Sequence, residues 1–289
     1  MPSPSLRQVG AVLVVAILAV STAGTLVRLA PDVHPLTLAF WRVLLVGLLL
    51  LPGARPVTHR EGLLTALGGL FLALHFWTWF LSLRETTVLR STLLVCLTPV
   101  WAALLEWAWL KTRPSLRFAG GIAVAVGGVG FMVSGGTPQN GTPGVTGDAL
   151  AVLGGMLGAA YFTIGRSVRA TVPIGRYGPL SCLATAGWLF LLAVATDAPL
   201  LGFPSVSWWA IAGLALGPQL LGHLGFNYAV GRLPAAIVTA IVLLEPVGAT
   251  GVAAVVLGEW PGPRDAVGAA LTLAGVAIAV WPRRETASG

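Results

Sequence analysis

Charge is what this sequence has least of. Only 9% of its 289 residues are Asp, Glu, Lys or Arg, against 56% hydrophobic, and its mean hydropathy is +0.87. A water-soluble domain of that length needs far more charge to cover its surface, so the solvent implied is itself apolar. Cysteine is equally scarce. Cys96 and Cys182 both lie inside apolar runs, which excludes a disulfide framework and leaves them as small core hydrophobes. There is no Gly-x-x-x-x-Gly-Lys-Ser/Thr loop, so ATP is not the direct energy source. No metal, haem or flavin motif is evident, and no His or Cys stands at ligand spacing, so no cofactor is expected. The loops are short and poor in His, Asp and Ser. A membrane-embedded enzyme, for example one acting on lipid, would need a nucleophile, base or metal cluster there. A non-transporting scaffold or sensor would usually carry a soluble output domain, and none is expected.

What the sequence does have is long apolar stretches, at 9–29, 36–52, 63–83, 89–110, 117–134, 147–166, 175–196, 206–230, 234–257 and 264–281. Each approaches the roughly 20 residues that cross a bilayer as a helix, and none alternates as a barrel strand would. The first run continues past Ser21-Thr22-Ala23, so it reads as a retained helix rather than a cleaved signal. The net charge of +7 is spread singly over short loops. That arrangement is a topology signal and argues against nucleic acid as a partner. With a cytoplasmic N-terminus, twelve basic residues from Arg7 to Arg284 fall on or near the inner side. Arg28, Arg84, Arg90 and Arg264 fall outside. Both termini are therefore expected in the cytoplasm of a multi-pass inner-membrane protein, and Gly135–Gly147, without Lys or Arg, as an external link.

The sequence also repeats itself. A shift of 147 residues lays Pro99-Val100 on Pro246-Val247, Pro114 on Pro261, Arg117 on Arg264, Gly121 on Gly268 and Gly128 on Gly275, with 12 identities in 35 positions. Apolar bias alone does not pair Pro, Arg and Gly at fixed spacing. A shift of 148 lays His75 on His223 and Arg84 on Arg232. Each copy holds an odd number of spans, so the second enters the membrane inverted. The fold class expected is an all-α membrane protein, ten transmembrane helices as a 5+5 inverted repeat around a central cavity, with halves at 1–137 and 145–284. In such folds solute binds near the midplane.

These features resemble the drug/metabolite transporter superfamily, in its EamA-type branch. Pro35-Leu-Thr-Leu-Ala-Phe-Trp-Arg42 is similar to that family's second-helix pattern, and Leu244-Glu245-Pro246 with Gly258-Glu259 to its second-half pattern. The first half departs from that pattern in having Thr98 where Glu245 stands. Within the branch, the aromatic-rich first half is similar to aromatic and neutral amino-acid exporters of the YddG type. The resemblance implies a secondary transporter moving small amphipathic solutes outward, with a small-molecule substrate and the lipid bilayer as its partners.

Ionisable groups inside the apolar runs are the functional candidates. Arg42 reads either as a clamp for a substrate carboxylate or as a structural charge that snorkels outward or binds backbone carbonyls. Glu245, expected mid-helix beside the helix-breaking Pro246, would bind an amino group, take up a proton, or satisfy backbone at the kink. Glu106 reads as a partner of Lys111 or Arg113. His75 and His223 hold matched positions suited to lining a cavity. Trp79 lies one turn past His75, and Trp101 follows Pro99. With Tyr161, Asn227 and Tyr228 they would form an apolar wall with a few polar handles, unless they are ordinary helix packing. Trp77, Trp107, Trp109, Trp208, Trp209, Trp260 and Trp281 read as an interfacial belt. The glycines of the fifth and tenth runs read as a close-packing scaffold or dimer surface.

Overall fold

A computed structural model describes residues 6–53, 55–98, 100–101, 104–105, 116–134, 144–230, 241–242 and 244–280. Helix is the only regular structure among them, as expected where lipid offers the backbone no hydrogen bonds. The helices are α1 (Leu6–Val20), α2 (Ala23–Arg28), α3 (Pro35–Leu49), α4 (His59–Glu85), α5 (Val88–Val95), α6 (Leu116–Val133), α7 (Val145–Arg169), α8 (Ile174–Ala195), α9 (Ser207–Leu214), α10 (Leu224–Val230), α11 (Glu245–Leu257) and α12 (Pro263–Val280). A π-helical segment, Ala215–His223, joins α9 to α10. By length and composition, Arg7–Arg28, His59–Glu85, Val145–Arg169 and Ile174–Ala195 are able to cross a membrane, and Pro35–Leu49, Leu116–Met132 and Glu245–Leu257 are apolar but shorter.

Local chemistry sets several of these boundaries. Thr58 and Glu61 form a capping box, each side chain accepting from the other's backbone N–H at the start of α4. Thr87 accepts from Arg90 N and opens α5 only two residues after α4 closes. His34 caps α3, whose first residue is Pro35. Gly258, with φ of +71°, ends α11 in the left-handed conformation that glycine adopts without strain.

The helices pack in a definite pattern: α4 on α7 and α8, α3 on α8 and the π segment, α1 on the π segment and α11, α5 on α7 and α11, and α6 on α12. The α6–α12 pair is antiparallel and built on glycine. A Cβ at Gly121 would lie 2.6 Å from Gly275 O, and one at Gly128 would lie 2.8 Å from Gly268 O. Each helix also binds the other through an arginine: Arg117 Nε donates to Ile278 O at 3.1 Å, and Arg264 Nε donates to Phe131 O at 2.9 Å. These glycines therefore serve a contact within the chain, whereas Gly120, Gly127 and Gly130 face open space.

Several spans are broken part-way. α1 gives way to α2 at Ser21–Thr22, whose hydroxyls donate to Ile17 O and Ala19 O. α5 stops at Val95, turns at Cys96–Leu97, and helix resumes at Thr98. Glu245 is not in the middle of a helix as the sequence led us to expect. It is the first residue of α11, and Pro246, in the first turn, forfeits no helical hydrogen bond. Trp209 and Trp260 are 80% and 76% exposed, as a lipid-facing belt requires. Trp77 instead packs on the main core cluster, because α4 continues for two turns beyond it. Glu106, Lys111, Arg113, Trp107, Trp109 and Trp281 lie outside the described residues.

Candidate substrate site

The deepest charge in the bundle is Arg42 of α3, which is wholly buried. Its Nε donates to Gln219 Oε1 at 2.9 Å, and its guanidinium lies 4.3 Å over the Phe76 ring and 5.8 Å from that of Phe80. Among the described residues, neither Nη group has a hydrogen-bond partner. Arg42 therefore does not snorkel, and among the described residues it binds no backbone carbonyl. Gln219 is presented by the π segment, which also contains Pro218. Its amide nitrogen in turn donates to Cys182 Sγ at 3.6 Å, which fixes which end of the amide faces Arg42. Single π-turns inside helices often mark such functional positions.

Phe76 is the hub around which the predicted residues gather. The His223 ring meets it edge-on at 5.4 Å, and the His75 ring lies 5.1 Å away. Trp79 lies 6.0 Å from His75 and 5.4 Å from Phe80. His75 Nδ1 is 2.8 Å from Gly154 O. A carbonyl only accepts, so Nδ1 carries the proton and neutral His75 keeps Nε2 as an acceptor. This approach needs a bare α7 surface: a Cβ at Gly158 would lie 3.0 Å from His75 Nδ1, and one at Gly155 would meet Val95 O at 2.9 Å. Trp101 sits against Gly155 as well. Among the described residues, Trp79 Nε1, Trp101 Nε1 and His223 Nδ1 are all without a partner. Glu245 is buried, and among the described residues its carboxylate accepts one hydrogen bond, from Cys96 Sγ at 3.8 Å. No ion pair joins Arg42 and Glu245 among the described residues.

Tyr161 and Asn227 belong to a neighbouring group, one turn or more nearer the Arg169 end of the bundle. Tyr161 is buried in α7, and Asn227 Nδ2 donates to His223 O at 3.0 Å. So His75, Trp79 and His223 surround Phe76 and Phe80, Trp101 shares the glycine face of α7 with His75, and Glu245 meets Cys96 at the helix break. Sequence reasoning left Phe76 and Gln219 out of this set and read Arg42 as either a carboxylate clamp or a structural charge. Gln219 carried a usable signal, a primary amide next to proline in an apolar run. Phe76 carried none, being one aromatic among several.

The opposite end of the bundle, where α2 and α4 finish and α5, α7 and α12 begin, is tied shut by charge. Arg28 Nη2 lies 2.5 Å from Glu259 Oε1, and Arg28 Nη1 donates to Leu83 O at 2.7 Å. Glu259 Oε2 accepts from Val88 N at 3.0 Å. Arg90, buried, reaches Asp148 at 3.7 Å and Asp265 at 3.9 Å and donates to Met132 O. Arg84 gives its Nη groups to the carbonyls of Pro31, Ala30 and Val33. Ser82 and Ser91 are hydrogen-bonded where α4 turns into α5. The left-handed Gly258 turns the chain so that Glu259 bridges α2 and α5.

Comparison with known proteins follows the same lines. The EamA-like transporter family matches twice, over residues 8–134 and 145–281. A probable terminal-alkyne amino-acid exporter of Streptantibioticus cattleyicolor is 36% identical over 196 residues, 65% of this chain and 62% of that relative. The chain thus spans less than two thirds of that protein's length. Uncharacterized transporters of Bacillus subtilis (YwfM) and Archaeoglobus fulgidus are each 27% identical, covering 91% and 85% of this chain and 91% and 87% of their own lengths. A solved crystal structure has the same fold, with a TM-score of 0.68 and 20% identity over 95% of this chain and 98% of that one. With its apolar helices and this double match, the chain is a multi-pass membrane protein and belongs to the EamA-like transporter family.

Proposed function

We propose that the protein is a secondary transporter that exports small amphipathic metabolites, foremost aromatic and neutral amino acids, across a bacterial inner membrane by alternating access. The observation that carries this reading is the set of polar groups unpartnered among the described residues, Arg42 Nη1 and Nη2, Trp79 Nε1, Trp101 Nε1 and His223 Nδ1, with an aromatic cluster beside broken helices. Buried polar groups without partners cost stability. A visiting solute with one apolar body and a few polar ends satisfies them, and aromatic walls suit aromatic and aliphatic side chains. His75, Trp79, Trp101, Tyr161, His223, Asn227 and Glu245 line or floor this site.

Two antiparallel halves, 1–137 and 145–284, fit the packing. The Arg117–Ile278 and Arg264–Phe131 bonds exchange under one 147-residue shift, as do the Gly121–Gly275 and Gly128–Gly268 contacts. Exchanging first-half spans for second-half ones likewise turns the packing of α4 on α7 into that of the π segment on α1. The breaks at Cys96–Leu97 and Leu244 lie at equivalent positions. Such a pair of halves closes one side as it opens the other. Arginine placement supports cytoplasmic termini with the Arg28–Glu259 seal outside, and on that orientation this conformation is closed to the exterior. A relative named for amino-acid export accords with this substrate class.

Uptake of a panel of radiolabelled amino acids into proteoliposomes tests the proposal. Saturable uptake, strongest for phenylalanine, tryptophan and leucine, is the expected result. Uptake only of non-amino-acid drugs or metabolites would reassign the substrate, and no uptake of any solute would overturn the reading.

A further inference from the structure

Among the described residues, Arg28, Arg84 and Arg90 are held among helices with their guanidinium groups met by oxygen. Arg28 has Glu259 and the carbonyls of Leu83 and Thr86. Arg84 has three carbonyls. Arg90 has Asp148, Asp265 and Met132 O. Arg42 is as deeply buried as any of them, yet among the described residues its outer fork is bare. What holds it leaves that edge free: Gln219 takes Nε at 2.9 Å, Phe76 lies beneath the guanidinium plane at 4.3 Å, and Cys182 holds Gln219 in place. The Nη1–Nη2 edge is the one that receives a carboxylate through two parallel hydrogen bonds. A charge buried at this depth is costly unless a counter-charge completes it.

We infer that Arg42 is the carboxylate-reading residue of the central site, with Gln219 as its positioning residue and Glu245 turned towards the ammonium group of the same solute. The inference rests on the transporter reading above and names its substrate class, α-amino acid zwitterions. Glu245 supplies the second pole. Among the described residues its carboxylate has only a weak thiol donor, Cys96, and no ion pair with Arg42. Two opposite charges held apart suit a ligand that carries both signs. The aromatic surface of Phe76, Trp79 and His223 then receives the side chain.

The test compares L-phenylalanine with L-phenylalaninamide, which keeps the ring and ammonium group but loses the carboxylate, as labelled solutes in proteoliposomes. The native protein is expected to prefer the free acid by at least about tenfold in kcat/KM, the range of one charge-assisted bidentate contact. Arg42→Gln is expected to narrow that preference to within about threefold while amide uptake persists. Should Arg42→Gln not elute from detergent as a monodisperse species, Arg42→Lys is the second variant. It keeps the charge but loses the fork, and is expected to raise KM for the acid at least about tenfold with KM for the amide unchanged. An unaltered acid preference in Arg42→Gln, or an unaltered acid KM in Arg42→Lys, overturns the assignment. Equal uptake of acid and amide by the native protein overturns it too, while leaving the transporter reading intact. Uptake of neither by the native protein counts against that reading instead.

Discussion

Replacing Glu259 should open the end of the bundle that is closed here, and the size of the effect follows from its bonds. Its carboxylate pairs with Arg28, whose side chain is 30% exposed while that of Glu259 is 10% exposed. It also accepts the Val88 N–H at the start of α5. A pair of intermediate burial lies between the values for exposed and buried pairs, about 1–2 kcal/mol. Glu259→Gln removes the charge but keeps an acceptor for Val88, so that range is its full effect. Glu259→Ala also strands the Val88 N–H, adding about 1 kcal/mol. If the two conformations differ by a few kcal/mol, the outward-open population rises about 5- to 30-fold in the first variant and about 30- to 150-fold in the second. Cys96 is a native reporter, since it is buried and bonded to Glu245 at the helix breaks. In a Cys182→Ala background it is the sole thiol, and its labelling by a membrane-impermeant reagent added outside follows the open population. Labelling rates that stay at the native value in both variants, or that rise more in the glutamine variant, would refute the gate.

Glu245→Gln should abolish dependence of uptake on a pH gradient while solute still binds, more weakly. Unchanged pH dependence removes Glu245 from any proton coupling. Trp101→Ala should weaken uptake of phenylalanine and tryptophan more than that of threonine or alanine. Equal losses assign Trp101 to packing against Gly155 alone. Gly275→Val should destabilise the fold by about 3 kcal/mol or more, because its side chain would enter the backbone of α6 at Ala125 and Gly121. An unchanged melting temperature in detergent would contradict the glycine-built contact.

Much of this architecture was legible in the sequence for a simple reason. Lipid forces long apolar helices, and a duplicated sequence must place equivalent residues at equivalent sites, so the shift that pairs Arg117 with Arg264 also relates their two hydrogen bonds. The Gly258-Glu259 signature acquires its meaning only in three dimensions, where a left-handed glycine swings a carboxylate onto α2 and α5. The candidate site was less legible. Arg42 lies close enough to the start of its helix to reach water, and only the packing of Phe76 and Phe80 reveals that it turns inward. Gln219 reaches it through a π segment, whose altered spacing no regular helical period anticipates. The helix break before Glu245 was likewise hidden, since Pro246 fits a kink and a helix start equally well.

Counterflow tests the central claim most directly. Proteoliposomes preloaded with unlabelled phenylalanine and diluted into a trace of labelled phenylalanine should accumulate label transiently above equilibrium, because one site that faces each side in turn exchanges faster when loaded on both. Entry of label at a rate indifferent to the solute inside would mean a pore open to both faces, and would contradict alternating access at this site.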